Sequence, residues 1–248
     1  MTPAESDWAV PAYRPGRNDL CFCQSGKRFK HCCGNTGPQR ATPHGIVVIE
    51  DYLSREQCQQ ILDLCAARPS EPLTVVNSKA TSVEKVVRTV GKNRVTQRVD
   101  MSHAQQRLND IVRTAIVKTI EPDLGRRFEW FEEPQLLRYE EGGFYGMHAD
   151  SENPIPPGDY WRKVTDRDIS LLLYLDDNYE GGQLRFGCFD YLLQPKAGML
   201  VYFPSDHRYR HTAMKVTSGT RHAIVSWSSQ QGVAKLRQAP KNAVQLPA

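Results

Sequence analysis

"DISLLLYLDDNYEGGQLRFGCFDYLLQPKAGMLVYFP", residues 168–204, decides the architecture. Four short apolar segments, DISLLLYLDD, GGQLRFG, DYLLQP and GMLVYFP, follow one another with glycine, proline or aspartate turns between them, the signature of successive β-strands. The same texture extends outward on both sides, to EEPQLLRYE at 132–140 and RHAIVSWS at 221–228. Several short strands in sequence predict a mainly β jelly roll or sandwich.

Helices lead into this region. IVVIEDYL, from Ile46, reads as a short strand, and Ser54 caps a helix over residues 54–68 with Ile61, Leu62 and Cys65 on one side. A second helix fits 103–120, where Leu108, Ile111, Val112, Ala115 and Ile116 recur at helical spacing. Between them, residues 78–98 hold six Lys or Arg against one Glu, either a solvated hairpin or a basic flap that guides a substrate.

The 248-residue chain is 40% hydrophobic and 24% charged, an ordinary globular balance that excludes a fibrous or wholly disordered protein. Its formal charge of +4 is mild and spread out, which disfavours direct nucleic-acid binding as the main function. No apolar run approaches the roughly 18 residues of a membrane span, and the MTPAESDWAV start has no secretory character, so a cytoplasmic protein is expected. Four of the seven cysteines fall in residues 21–33, a clustering that favours metal over disulfides; Cys58, Cys65 and Cys188 read as small buried hydrophobes.

On an extended segment residues i and i+2 share a face, so His148 and Asp150 can reach one atom. Seven histidines and 15 aspartates supply about 0.4 such pairs by chance, so the pair needs a partner to carry weight. His207, His211 and His222 are the downstream candidates. Two histidines and a carboxylate on one face leave open positions on a non-haem Fe(II) ion. His207 lies in a turn where a surface histidine is commonplace, and His222 has the opposite strand parity to Arg221, which leaves His211. Arg221, ten residues after His211, offers a planar fork for a dicarboxylate's far end, and Trp227 shares its parity as a pocket wall or core residue.

QLLRYEEGGFYGMHAD, SLLLYLDD with EGGQLRF, and HTAMKVTSGTRHAIVSW occur in the order and spacing of a known family. Over roughly residues 45–230 the chain resembles the Fe(II)- and 2-oxoglutarate-dependent dioxygenases of the prolyl 4-hydroxylase type. The resemblance implies a double-stranded β-helix in which His148, Asp150 and His211 bind iron. It places Arg221 on the distal carboxylate of 2-oxoglutarate and Tyr139 and Tyr174 against the same co-substrate, with ascorbate a further candidate cofactor. It further implies hydroxylation of an unactivated C–H bond, foremost in a prolyl residue of a protein or peptide. A free amino acid or other small molecule is the alternative substrate, and a non-catalytic 2-oxoglutarate sensor or protein-binding module the alternative class. Lys215 stands where the family often has proline, at the pocket rim.

GRNDLCFCQSGKRFKHCCG, residues 16–34, places four thiols where they can complete a tetrahedral zinc site, with a redox-active thiol cluster as the other reading. The stretch resembles the SEC-C motif, which implies zinc on Cys21, Cys23, Cys32 and Cys33, with His31 as an alternative ligand and Gln24 replacing the usual glycine. Such knuckles serve protein or ribosome contacts, which suggests a link to translation. The expected organisation is a flexible tail at 1–16, the knuckle at 17–35, a linker at 36–45, the dioxygenase domain at 46–235 and a loose tail at 236–248.

Overall fold

The computed structural model of the chain describes residues 9–11, 16–21, 26–32, 34, 42–73, 75–76, 88–89, 93–158 and 160–247; most of the basic segment 78–98 lies outside them, as do Cys23 and Cys33. At its centre, the strand Ile169–Tyr174 pairs antiparallel with Leu200–Pro204 on one side and Arg221–Gln230 on the other. Both faces of this strand are covered, which is why its sequence is a continuous apolar run instead of a polar–apolar alternation. Ile169, Leu171 and Leu173 face one buried cluster, while Ser170, Leu172 and Tyr174 point the other way.

The larger sheet runs in the order Val47–Ile49, Leu200–Pro204, Ile169–Tyr174, Arg221–Gln230, Gln135–Tyr139, Gln97–Val99, Ser70–Pro72. Opposite it lies a smaller sheet: Tyr191–Leu193, Leu184–Phe186, His211–Ala213, Phe144–His148, Arg94–Val95. Phe186 and Leu184 from the small sheet share a core with Tyr174, Val201, Phe203 and Ala223 from the large one. The result is the double-stranded β-helix that the sequence predicts.

Two helices cover the outer face of the large sheet. Arg55–Cys65 starts at a capping box, with Gln57 N–H donating to Ser54 Oγ and Ser54 N–H to the Gln57 side chain, and buries Cys58, Ile61 and Cys65. The helix beginning at Gln105 does not end at 120. It continues through a π-helical turn, Ile116–Ile120, into Glu121–Leu124 and stops at left-handed Gly125. The wider turn precedes Pro122, which has no N–H to give the helix ladder. Leu108, Val112, Ala115, Ile116 and Ile120 pack beneath it against Leu136, Leu171 and Leu173.

Both chain ends depart from expectation. Ala243–Gln245, expected to be loose, pairs with Phe128–Glu132 and so extends the large sheet, because the edge of that strand offers unpaired backbone groups. Ala9–Pro11, in the supposedly unstructured start, pairs with Tyr160–Lys163. In the knuckle, Cys21 N–H donates to Lys27 O and Phe29 N–H to Asp19 O, closing a tight loop. Cys21 is buried in the same cluster as Phe186, Phe189 and Tyr209, with Phe29 and Cys32 packed at its margin. Cys58 and Cys65 are buried as read, and Cys188 is partly so. Among the described residues no helix is long and apolar enough to cross a membrane.

Candidate active site

His148 ends the strand Phe144–His148, His211 begins the strand His211–Ala213, and the two are direct cross-strand partners. Each histidine ring is fixed in the same way. His148 Nδ1 lies 2.8 Å from Gly146 O and His211 Nδ1 lies 3.1 Å from Tyr209 O, contacts that place the hydrogen on Nδ1 and leave the Nε2 lone pairs free. Both Nε2 atoms face Asp150, at 3.4 Å from His148 to Oδ1 and 3.7 Å from His211 to Oδ2. Those separations exceed good hydrogen bonds. The three ligand atoms lie within 4.8 Å of one another, a facial set that a metal ion with bonds of roughly 2.1 Å can draw together.

Asp150 is held from outside the set. Ser170 Oγ donates to its Oδ2 at 2.6 Å and contacts Ser205 Oγ at 2.8 Å, while the backbone N–H of Asp150 donates to Ser205 O. Burial pushes the Asp150 carboxyl up, but His211, His148 and the Ser170 hydroxyl outweigh it and keep the group well below the ordinary carboxylate range. Burial and the adjacent His148 push the His211 imidazole down to about 4, against the pull of Asp150. Asp150 is therefore an anion and His211 a neutral imidazole, the protonation states that binding a cation requires.

The cluster opens on a cavity of about 360 Å³ whose wall includes Arg221, Tyr139 and Tyr174. Arg221 is 2% exposed, yet its Nε has no hydrogen-bond partner. Its Nη1 donates to Gly182 O at 2.6 Å, and its guanidinium carbon lies 4.0 Å from the centre of the Tyr139 ring. Tyr174 Oη is likewise buried without a partner, and burial pushes its phenol well above the ordinary range, so it stays a neutral donor. A buried cation and an orphan hydroxyl, neither of them bonded to a carboxylate among the described residues, form a cradle that a dicarboxylate fits. The residues present thus suit both an iron ion and 2-oxoglutarate.

Parity along Arg221–Gln230 holds as read: Arg221, Ala223, Val225 and Trp227 all line the cavity, whereas His222 turns away, its Nδ1 2.6 Å from Asp176. His207 is a correction. It is 5% exposed, not a surface residue, with Nδ1 2.5 Å from Glu152 Oε2 and its ring stacked on Trp161 at 5.2 Å. Its carboxylate partner comes from a distant segment, which a local reading of a turn has no means to supply.

Other cavity residues escaped the sequence reading. Arg167 binds Glu132 through two hydrogen bonds, of 2.5 and 2.7 Å, and covers the Trp227 ring at 3.7 Å. Tyr145 stacks on His148 with ring centres 3.6 Å apart. Strict alternation puts residues three apart on opposite faces, but the pairing of this strand with His211–Ala213 shifts register between Tyr145 and His148, and the bulge brings both rings to one side. Ser170 was readable: it shares the parity of Leu172 and Tyr174, and a hydroxyl among apolar inward residues signals a buried polar partner.

A double-stranded β-helix carrying a clustered His–Asp–His set beside a buried arginine with an unpaired Nε is the architecture of a metal- and keto-acid-dependent oxygenase. Comparison with known proteins agrees. The family model described as the 2OG-Fe(II) oxygenase superfamily matches residues 134–229, and the SEC-C motif matches 17–35. A PKHD-type hydroxylase of Acidovorax ebreus (strain TPSY) is 28% identical over 188 residues, 73% of this chain and 77% of that protein. In fold, the chain is similar to a Pseudomonas putida prolyl-4-hydroxylase (TM-score 0.53, 21% identity, 76% of this chain and 94% of that one). It is also similar to a prolyl hydroxylase from Trichoplax adhaerens solved with a peptide fragment of a hypoxia-inducible factor oxygen degradation domain (TM-score 0.56, 18% identity, 75% and 84%). The protein is a dioxygenase whose cofactors are Fe(II) and 2-oxoglutarate, with the 2OG-Fe(II) oxygenase match over residues 134–229 and the SEC-C match over 17–35.

Proposed function

We propose that the protein hydroxylates a prolyl residue of a protein or peptide, with His148, Asp150 and His211 holding the iron and Arg221, Tyr139 and Tyr174 holding 2-oxoglutarate. One observation carries this reading: Arg221 Nε and Tyr174 Oη are buried without partners in the same cavity as the three-ligand cluster. The prolyl substrate is supported by the names of the relatives, PKHD-type hydroxylases and prolyl hydroxylases.

Bound iron would supply the oxygen activation that an unactivated C–H bond requires. The protein's part is placement. His148 and His211 present fixed Nε2 atoms, and Asp150, locked by Ser170, contributes the anionic ligand. Arg221, steadied by Gly182 O and the Tyr139 face, pairs with the far carboxylate, and Tyr174 donates to the same group. Leu172, Leu184 and Ala213 line the cavity and exclude water from the reacting end.

The N-terminal knuckle is read as a zinc site on Cys21, Cys23, Cys32 and Cys33 that serves as a protein or ribosome docking unit, in a cytoplasmic enzyme acting near translation; the SEC-C match supports it. The catalytic reading is tested by titrating metal-stripped protein anaerobically with Fe(II) and then 2-oxoglutarate. A visible charge-transfer band is expected, and well-folded protein without one overturns the assignment.

A further inference from the structure

Three arginines line the cavity, and two have evident partners. Arg167 is neutralised by Glu132, and Arg221 faces the keto-acid end. Arg94 is different. Among the described residues no carboxylate pairs with it, and its Nε is buried without a hydrogen-bond partner. Its guanidinium carbon lies 4.2 Å from the centre of the Tyr145 ring, which stacks at 3.6 Å and 17° on His148. A metal ligand, a phenol and a cation therefore form one continuous pile along the cavity wall.

The backbone builds this pile deliberately. Arg94 is the register partner of Tyr145, and Val95 that of Phe144. Gly146 N–H donates to Asn93 O at 2.7 Å, which ties the segment before Arg94 to this strand, and a Cβ at 146 would push the Asn93 side-chain amide aside. A guanidinium held over a ring by its face keeps its in-plane N–H donors available for a planar acceptor.

Charge accounting isolates Arg94 further. With iron and 2-oxoglutarate in the cavity their charges cancel, Asp150 offsets Arg221, and Glu132 offsets Arg167. Among the described residues Arg94 then leaves one uncompensated positive charge, partly desolvated, on the cavity wall. Burying such a charge is costly unless an anion meets it.

We infer that Arg94 selects the substrate: it binds the carboxylate of an acidic residue two or three positions from the hydroxylated one. This rests on the reading of the cavity as an iron and 2-oxoglutarate site. The spacing follows from the pile, whose two layers put the guanidinium at most about 8 Å from the His148 ring, a span that two or three residues of extended peptide cover at about 3.3 Å each.

The test uses full-length protein loaded with Fe(II) and 2-oxoglutarate and a set of blocked proline-centred heptapeptides carrying Glu, Gln or Lys at each flanking position. Binding is read anaerobically from the shift each peptide causes in the visible band, and turnover from the mass gain in air. Glu peptides should bind roughly tenfold or more tightly than their Gln counterparts, the range of one charge-assisted hydrogen-bonded pair. Arg94→Gln should erase that difference while leaving 2-oxoglutarate affinity within about twofold, and Arg94→Glu should turn the preference toward Lys. Equal binding of Glu and Gln peptides, or none by either, overturns the inference, as does an Arg94→Gln variant that weakens 2-oxoglutarate as strongly as Arg221→Gln. A wild-type protein with no band at all removes the site reading instead.

Discussion

His148 and His211 face each other as partners across an antiparallel strand pair, and each is tied through Nδ1 to the carbonyl oxygen two residues before it, Gly146 for one and Tyr209 for the other. The equivalence matters because it fixes both Nε2 atoms by backbone geometry alone, before any metal arrives. Pre-set ligands need little reordering on binding.

His211→Ala or His148→Ala should therefore abolish the visible band with Fe(II) and 2-oxoglutarate while leaving the far-ultraviolet circular dichroism unchanged, since the pairing of their two strands is made by the backbone. Iron content after desalting should fall from one equivalent to near zero. Full activity in His148→Ala would show that the iron lies elsewhere.

Arg221→Ala should weaken 2-oxoglutarate by about 2–4 kcal/mol, the range for truncating one side of a buried charge pair, with iron binding retained. Tyr174→Phe removes only an orphan hydroxyl, so its cost should be near 1 kcal/mol in 2-oxoglutarate affinity and none in stability. Calorimetry of keto-acid binding to a redox-inert metal form measures both.

Ser170→Ala takes from Asp150 the hydrogen bond that orients its Oδ2. Metal affinity should drop about 10- to 100-fold although no ligand is touched. A competition titration with a chelator reads this directly, and an unchanged affinity would assign the orientation of Asp150 to its backbone contacts with Ser205, Thr165 and Arg167.

Cys21→Ser should eliminate zinc from the purified protein and leave the iron-dependent band intact, as two independent metal sites require. Mass spectrometry under native conditions and elemental analysis distinguish the two metals. Zinc retained at full stoichiometry would assign the knuckle to another ligand set.

Much of this protein is legible in one dimension. The apolar runs around Leu171, Val201 and Ile224 fix strands covered on two faces, the cap at Ser54 fixes a helix start, and the parity of Arg221 and Trp227 places both on the cavity side. These are properties of near neighbours in the chain, set by the twofold repeat of a strand or the turn of a helix. The extension of the second helix to Leu124 was not legible, because a proline at 122 ordinarily stops a helix and only the π-helical turn before it accommodates one.

What the sequence determined by itself is the class of chemistry: the residue types at 148, 150, 211 and 221, their order, and the β-framework that carries them. What the tertiary structure alone decided is which groups stand beside them. The bulge that turns Tyr145 onto His148, the pairing that lays Arg94 over Tyr145, the burial of His207 against Glu152 and the capture of Ala243–Gln245 by Phe128–Glu132 all join segments far apart in the chain or break strict alternation. Local periodicity records which face a side chain takes. It cannot record which distant segment will cover that face, because that choice is made by the packing of the whole chain.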